Sequence, residues 1–268
     1  MRIFATEAQR RRGKQKPYFL SFSVPLCLCG LLFLFGCGKQ AVTIGRGDPD
    51  TEIKKCTELM GKKDFEEAVQ CLEMFKARFA NTQSAQEAEL KIGDIYFNKK
   101  DYLLAAESYM AFIKLYPSSP RADYAYYRAG AAYLKEAPKA IDRDQEYVEK
   151  AIDQLLVVVR RYSNSSYYDL AVKDLNDAVR RIARRNFYVG RFYYRTGEYI
   201  ACLPRFATVV NDFPHSGLAD HALYYMTVAS IKLGRLDDAR LAFSKLSVDY
   251  PTSKWAKKAE GKMRSATK

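Results

Sequence analysis

From residue 51 onward, apolar and polar positions follow one recurring template: an amphipathic helix, a stop, a hydroxyl and a second helix. Residues 98–125 show it once. Asp101-Tyr102 opens a helix, and Ala105 is a small residue where two helices can approach closely. Tyr116-Pro117 ends that helix, because proline disfavours helical geometry in the residue before it. Ser119 then offers a hydroxyl to cap the next helix, and Ala125 is the next small contact.

The small residue recurs as Ala68, Ala105, Ala151, Cys202 and Ala239. Eleven residues after each stands an aromatic: Phe79, Tyr116, Tyr162, Phe213 and Tyr250. Three past the aromatic comes a hydroxyl (Thr82, Ser119, Ser165, Ser216, Ser253), and nine past it an alanine (Ala88, Ala125, Ala171, Ala222, Ala259). Four registers held over five copies mark a repeat array, in which each helix pair buries its apolar face against its neighbours. This is tetratricopeptide-repeat logic. The expected fold is all-α, a right-handed solenoid of five such helix pairs, with a long helix linking the first three to the last two.

The intervals locate that long helix. Ala68 to Ala105 and Cys202 to Ala239 each span 37 residues, whereas Ala105 to Ala151 spans 46 and Ala151 to Cys202 spans 51. The first surplus falls at Lys135 to Asp144, a loop containing Pro138. No proline or turn cluster interrupts Ser165 to Arg195, so the second surplus reads as about four extra helical turns. Its polar face carries Asp174, Asp177, Arg180, Arg181, Arg184 and Arg185, a solvated face with Asp177–Arg181 spaced for an i,i+4 pair.

The N-terminus is different in kind. Arg10-Arg11-Arg12, Lys14 and Lys16 precede an apolar run from Tyr18 to Phe35, the pattern of an export signal. The alternative is an uncleaved anchor, since the run is near spanning length; Pro25 and the end of the run argue against it. Leu34-Phe35-Gly36-Cys37 resembles a bacterial lipobox, with Phe35 in place of the usual small residue. The resemblance implies lipid attachment, palmitate included, at Cys37, and Gly38 after it suits the outer membrane, facing the periplasm. The chain then divides into a signal peptide (1–36), a lipidated tether (37–50) whose residues 38–50 read as flexible, N-terminal repeats 1–3 (51–164), and the linking helix with repeats 4–5 (165–268).

Formal charge is +13, but removing the six basic residues and one acidic residue of 1–36 leaves 38 against 30, or +8. That balance suits an acidic protein surface or anionic headgroups and does not by itself indicate nucleic acid. His215 and His221 have no third metal ligand near by, and no phosphate loop or nucleophile motif is present. No catalysis, metal or cofactor is expected. Cys202 reads as a buried apolar filler. Cys56 and Cys71 flank the turn at Lys62-Lys63 at mirror-related places, where an oxidising compartment would permit a disulfide if the geometry allows.

Three stretches go beyond generic repeats. Asp123-Tyr124-Ala125-Tyr126-Tyr127-Arg128-Ala129-Gly130 resembles the Tyr-Ala-Tyr-Tyr-x-x-Gly signature of the BamD family, lipoproteins of the β-barrel assembly machinery. Val189-Gly190-Arg191-Phe192-Tyr193-Tyr194-Arg195-Thr196-Gly197-Glu198-Tyr199-Ile200-Ala201 is similar to a second segment of that family, and Asp212-Phe213-Pro214 to its Asp-Tyr-Pro ending. The resemblance implies a non-catalytic adaptor of the outer-membrane β-barrel assembly complex. Its partners would be the insertase's periplasmic domains, unfolded outer-membrane proteins and other lipoproteins of the complex. By position, Arg191, Arg195, Arg205 and Asp212 become candidate insertase contacts. Tyr124, Tyr127 and Arg128 become candidates in an N-terminal groove for aromatic and carboxylate groups. Tyr127, Tyr193 and Tyr199 also sit at helical spacings that suit a core. Asn186 departs from the acidic residue expected in the linking helix, and Ala80 from the proline of the first repeat. The alternative is another periplasmic repeat lipoprotein that scaffolds or regulates division or peptidoglycan machinery.

Overall fold

The computed structural model describes residues 43–45 and 47–267; the expected signal, Cys37 and much of the tether lie outside the described residues. The described residues form eleven α-helices and no strand. In order these are α1 (Pro49–Gly61), α2 (Phe65–Arg78), α3 (Gln83–Lys99), α4 (Tyr102–Leu115), α5 (Ala122–Glu136) and α6 (Glu146–Arg161). There follow α7 (Tyr168–Thr196), α8 (Tyr199–Asp212), a 3-10 turn at Pro214–Ser216, α9 (Ala219–Lys232), α10 (Leu236–Asp249) and α11 (Lys254–Ala266). Each helix packs against the next. Contacts of α1 with α3, α5 with α7, α7 with α9 and α9 with α11 put the odd-numbered helices on one side of the stack.

The repeat registers have physical counterparts. Ala68, Ala105, Ala151, Cys202 and Ala239 are fully buried, as are Ala88, Ala125, Ala171, Ala222 and Ala259. The aromatics Phe79, Tyr116, Tyr162, Phe213 and Tyr250 are each the residue that closes α2, α4, α6, α8 or α10. A further register sits on the odd helices. A Cβ on Gly93 would lie 2.7 Å from Tyr109 Cε1, one on Gly130 2.8 Å from Leu155 Cγ, and one on Gly190 2.8 Å from Phe206 Cε1. Cys56 holds the corresponding place on α1 and is bonded to Cys71 of α2, with Cα atoms 5.4 Å apart. Both cysteines are fully buried, so the cross-link is part of the first core cluster.

The linking helix α7 has 29 residues and ends at Gly197, whose φ of +85° is the left-handed conformation that glycine adopts without strain. The loop between α5 and α6 is held by buried Gln145, whose Nε2 donates to Ala140 O (3.0 Å) and Arg143 O (3.1 Å).

Three local expectations are corrected. The end of the tether is docked: Ile44 is buried, its carbonyl accepts from Arg78 Nη1 at 2.7 Å, and Gly45 N donates to Glu52 Oε2 at 2.9 Å. The hydroxyls cap helices directly only at Thr82 and Ser253. Ser119, Ser165 and Ser216 accept from the backbone N–H two residues on, but that N–H lies ahead of the helix, because two turn residues intervene. Asp177 pairs with Arg180 at 2.6 Å rather than with Arg181, because Arg181 turns inward to donate to the Pro138 carbonyl of the long loop.

Candidate partner-binding surfaces

The first surface is built on α3, α4 and α5. The spacing of Tyr124, Tyr127 and Arg128 sets them on one face of α5, which meets Asp94 and Phe97 of α3. Asp94 is the hub. Its Oδ1 accepts from Tyr109 at 2.5 Å and from Tyr124, and Arg128 Nη2 lies 3.4 Å away. Arg128 Nε also donates to the Tyr109 hydroxyl at 3.1 Å, and its guanidinium lies 3.9 Å from the Phe97 ring centre. Burial, reinforced by Asp94, raises the pKa of both phenols. Burial alone would lower that of Arg128, but the two phenols and Asp94 more than offset it and the pKa rises.

Tyr127 stacks on Tyr167 with ring centres 5.5 Å apart, and Tyr167 also meets Tyr124 at 5.2 Å. Beside them a cavity of about 420 Å³ opens between α3, α5 and α7, with Phe97, Tyr127, Arg128, Lys135, Asp174 and Arg181 on its walls. Burial raises the Asp174 carboxyl above its usual range, with Lys173 opposing most and Lys135 less. Thus Tyr124, Tyr127 and Arg128 are brought together, but all three have internal partners: Asp94 for Tyr124 and Arg128, Tyr167 and Asp174 for Tyr127. Lys135 is exposed and forms no ion pair among the described residues. The sequence reading missed Asp94, Phe97, Tyr109, Tyr167 and Lys135. An acidic residue directly after the close-contact Gly93 was the available signal for the hub.

The second surface lies on the C-terminal half of α7 and on α8. Arg191 and Arg195 are exposed and one turn apart, with no ion pair among the described residues. Tyr188 and Phe192 flank them, 49% and 56% exposed. Arg205 is partly engaged, since its Nη1 donates to Asn186 Oδ1 at 3.4 Å. Asn186 therefore supplies a hydrogen bond where a carboxylate would supply an ion pair, and its Nδ2 donates back to Ile182 O. Asp212 is exposed at the last turn of α8, away from the buried face. Tyr193 and Tyr199 are half-buried against the C-terminal core, and so belong mainly to packing. Cys202 is buried and its thiol pKa is pushed up to about 11 by desolvation.

Among the described residues no helix is long and apolar enough to cross a membrane, and no cluster of side chains could hold a metal ion.

The family YfiO, described as outer membrane lipoprotein, matches residues 48–246. The outer membrane protein assembly factor BamD of Caulobacter vibrioides is 24% identical, over 73% of this chain and 64% of the relative. The chain thus matches less than two thirds of that relative's length. The BamD of Neisseria gonorrhoeae is also 24% identical, over 83% of this chain and 89% of its own. Among solved structures, the chain is similar to the TPR2AB domain of yeast Sti1 (13% identity, TM-score 0.39, 82% and 84% of the two chains).

Proposed function

The chain belongs to the YfiO family of outer membrane lipoproteins, and on that premise we propose that it is a non-catalytic adaptor in assembly of outer-membrane β-barrel proteins. Lipid on Cys37 anchors it in the outer membrane, facing the periplasm. Arg191, Arg195, Arg205 and Asp212 contact the periplasmic domains of the insertase. The α3–α5–α7 surface receives unfolded outer-membrane proteins, with Phe97 and Tyr127 offering aromatic faces and Lys135 an ammonium for a carboxylate. Tyr124 and Arg128 act there mainly by holding the wall in shape through Asp94.

The observation that carries this reading is the family match, which takes in both surfaces within residues 48–246. Exposed arginine and aromatic side chains together support a protein-binding role, because such residues are enriched at interfaces. The test is co-purification from solubilised outer membranes. The barrel insertase should be recovered with the native chain and depleted with Arg205→Glu, while thermal melting of the variant stays cooperative. Recovery of a septal or peptidoglycan-synthesising partner instead of the insertase would overturn the proposal.

A further inference from the structure

The end of the odd-helix layer carries an arrangement that those contacts use only at Arg191. His221 of α9 stacks on Trp255 of α11 with ring centres 3.5 Å apart and planes 10° apart. Phe187 of α7 and Tyr225 close around the imidazole at 4.7 and 5.0 Å. The buried His221 Nε2 has no hydrogen-bond partner. Three cations converge there. Lys254 and Lys258 place their ammonium groups 5.2 and 4.6 Å from the Trp255 ring centre. Arg191, one turn beyond Phe187, lies within electrostatic reach of the imidazole, as do both lysines. None of the three has an ion pair among the described residues. The acid beside them, Asp220, already accepts from Ser253 Oγ at 2.6 Å and from the His221 backbone N–H at 2.7 Å.

An excess of cations around a desolvated polar atom favours an anion, because charge-assisted hydrogen bonds are the strong ones. We propose that Arg191, His221, Lys254, Trp255 and Lys258 form a binding site for the carboxylates of an acidic polypeptide segment. A polypeptide fits better than a single compact anion because the face continues along α7 through Tyr188, Phe192 and Arg195, all exposed. Alternating carboxylates and apolar side chains would match that band of cations and rings. The site goes beyond the insertase contacts, although it shares Arg191 with them and its continuation along α7 shares Arg195.

Trp255 is the single tryptophan of the chain, so its emission reports on this site alone. The full-length chain in detergent is titrated with a synthetic peptide alternating Glu and Leu, and with the same peptide carrying Gln for Glu. The Glu peptide should give a saturable change in emission, and the Gln peptide none. Lys258→Glu and Arg191→Glu should each weaken binding at least tenfold, and raised salt should weaken it further. Absence of a saturable change, equal response to the Gln peptide, or unaltered affinity in both variants would overturn the site. Inorganic phosphate or phosphatidylglycerol mixed micelles saturating the signal where the Glu peptide does not would overturn the polypeptide assignment. No insertase is present in this titration, so its failure leaves the insertase reading to the separate capture experiment.

Discussion

Tyr109 on α4 donates its hydroxyl to Asp94 Oδ1 on α3 at 2.5 Å, and Tyr124 on α5 donates to the same oxygen. One carboxylate thereby ties three successive helices and balances Arg128. Replacing it leaves two phenols and a half-buried guanidinium without their acceptor. Asp94→Ala should therefore cost about 3 kcal/mol, the range for stranding charged and polar partners. Urea unfolding measures it, and Asp94→Asn should recover part of the loss by keeping an acceptor oxygen.

Alanine at the close-contact glycines should destabilise the fold although alanine is the better helix former. Gly93→Ala, Gly130→Ala and Gly190→Ala each press a methyl group against a packed side chain at 2.7 or 2.8 Å. Overpacking of that kind costs about 1–3 kcal/mol, against a propensity gain of about 1 kcal/mol. Gly261→Ala is the control: it lies inside α11 with nothing within 4 Å of the new Cβ, and should stabilise by up to about 1 kcal/mol. Melting curves of the four variants test the contrast.

Reduction of Cys56–Cys71 should destabilise the first helix pair. The cross-link closes a loop with a sequence separation of 15, for which the chain-entropy argument gives about 3 kcal/mol. Hydrogen exchange should rise in α1 and α2 first, with α9 to α11 unchanged. Cys202 should stay unreactive toward an alkylating reagent at pH 8 until the chain unfolds, because burial holds its thiol protonated.

Stability should fall as pH drops from about 6.5 to about 4. Desolvation, aided by Arg191, lowers the His221 pKa from 6.5 to about 4. Asp220 opposes this, and Lys254 and Lys258 add to it. Between those values the unfolded chain binds a proton that the folded chain does not, so stability rises with pH across the window and levels off above it. His221→Phe should flatten that part of the profile relative to the native chain, measured by denaturant midpoints at matched ionic strength.

The sequence alone determined the helical repeat, because its determinants are local and recur. A small residue, an aromatic, a hydroxyl and an alanine occupy fixed intervals, and the surplus intervals located both the α5–α6 loop and the long α7. Even where the cap geometry shifted, as at Ser119 and Ser165, the turn stayed where the register put it. Tertiary structure alone decided the partners. Asp94 and Tyr109 are 15 residues apart and Asp94 and Tyr124 are 30 apart, and no helical period predicts their sharing one oxygen. Arg181 left its i,i+4 carboxylate for a carbonyl 43 residues away, since the loop presents an acceptor to a partly buried guanidinium. Likewise the stacking of His221 on Trp255, and the cations around it, depends on how α7, α9 and α11 come together. Periodicity fixes which face of a helix is buried. Which groups meet across that face depends on helix separation and side-chain reach, and those exist only in the packed molecule.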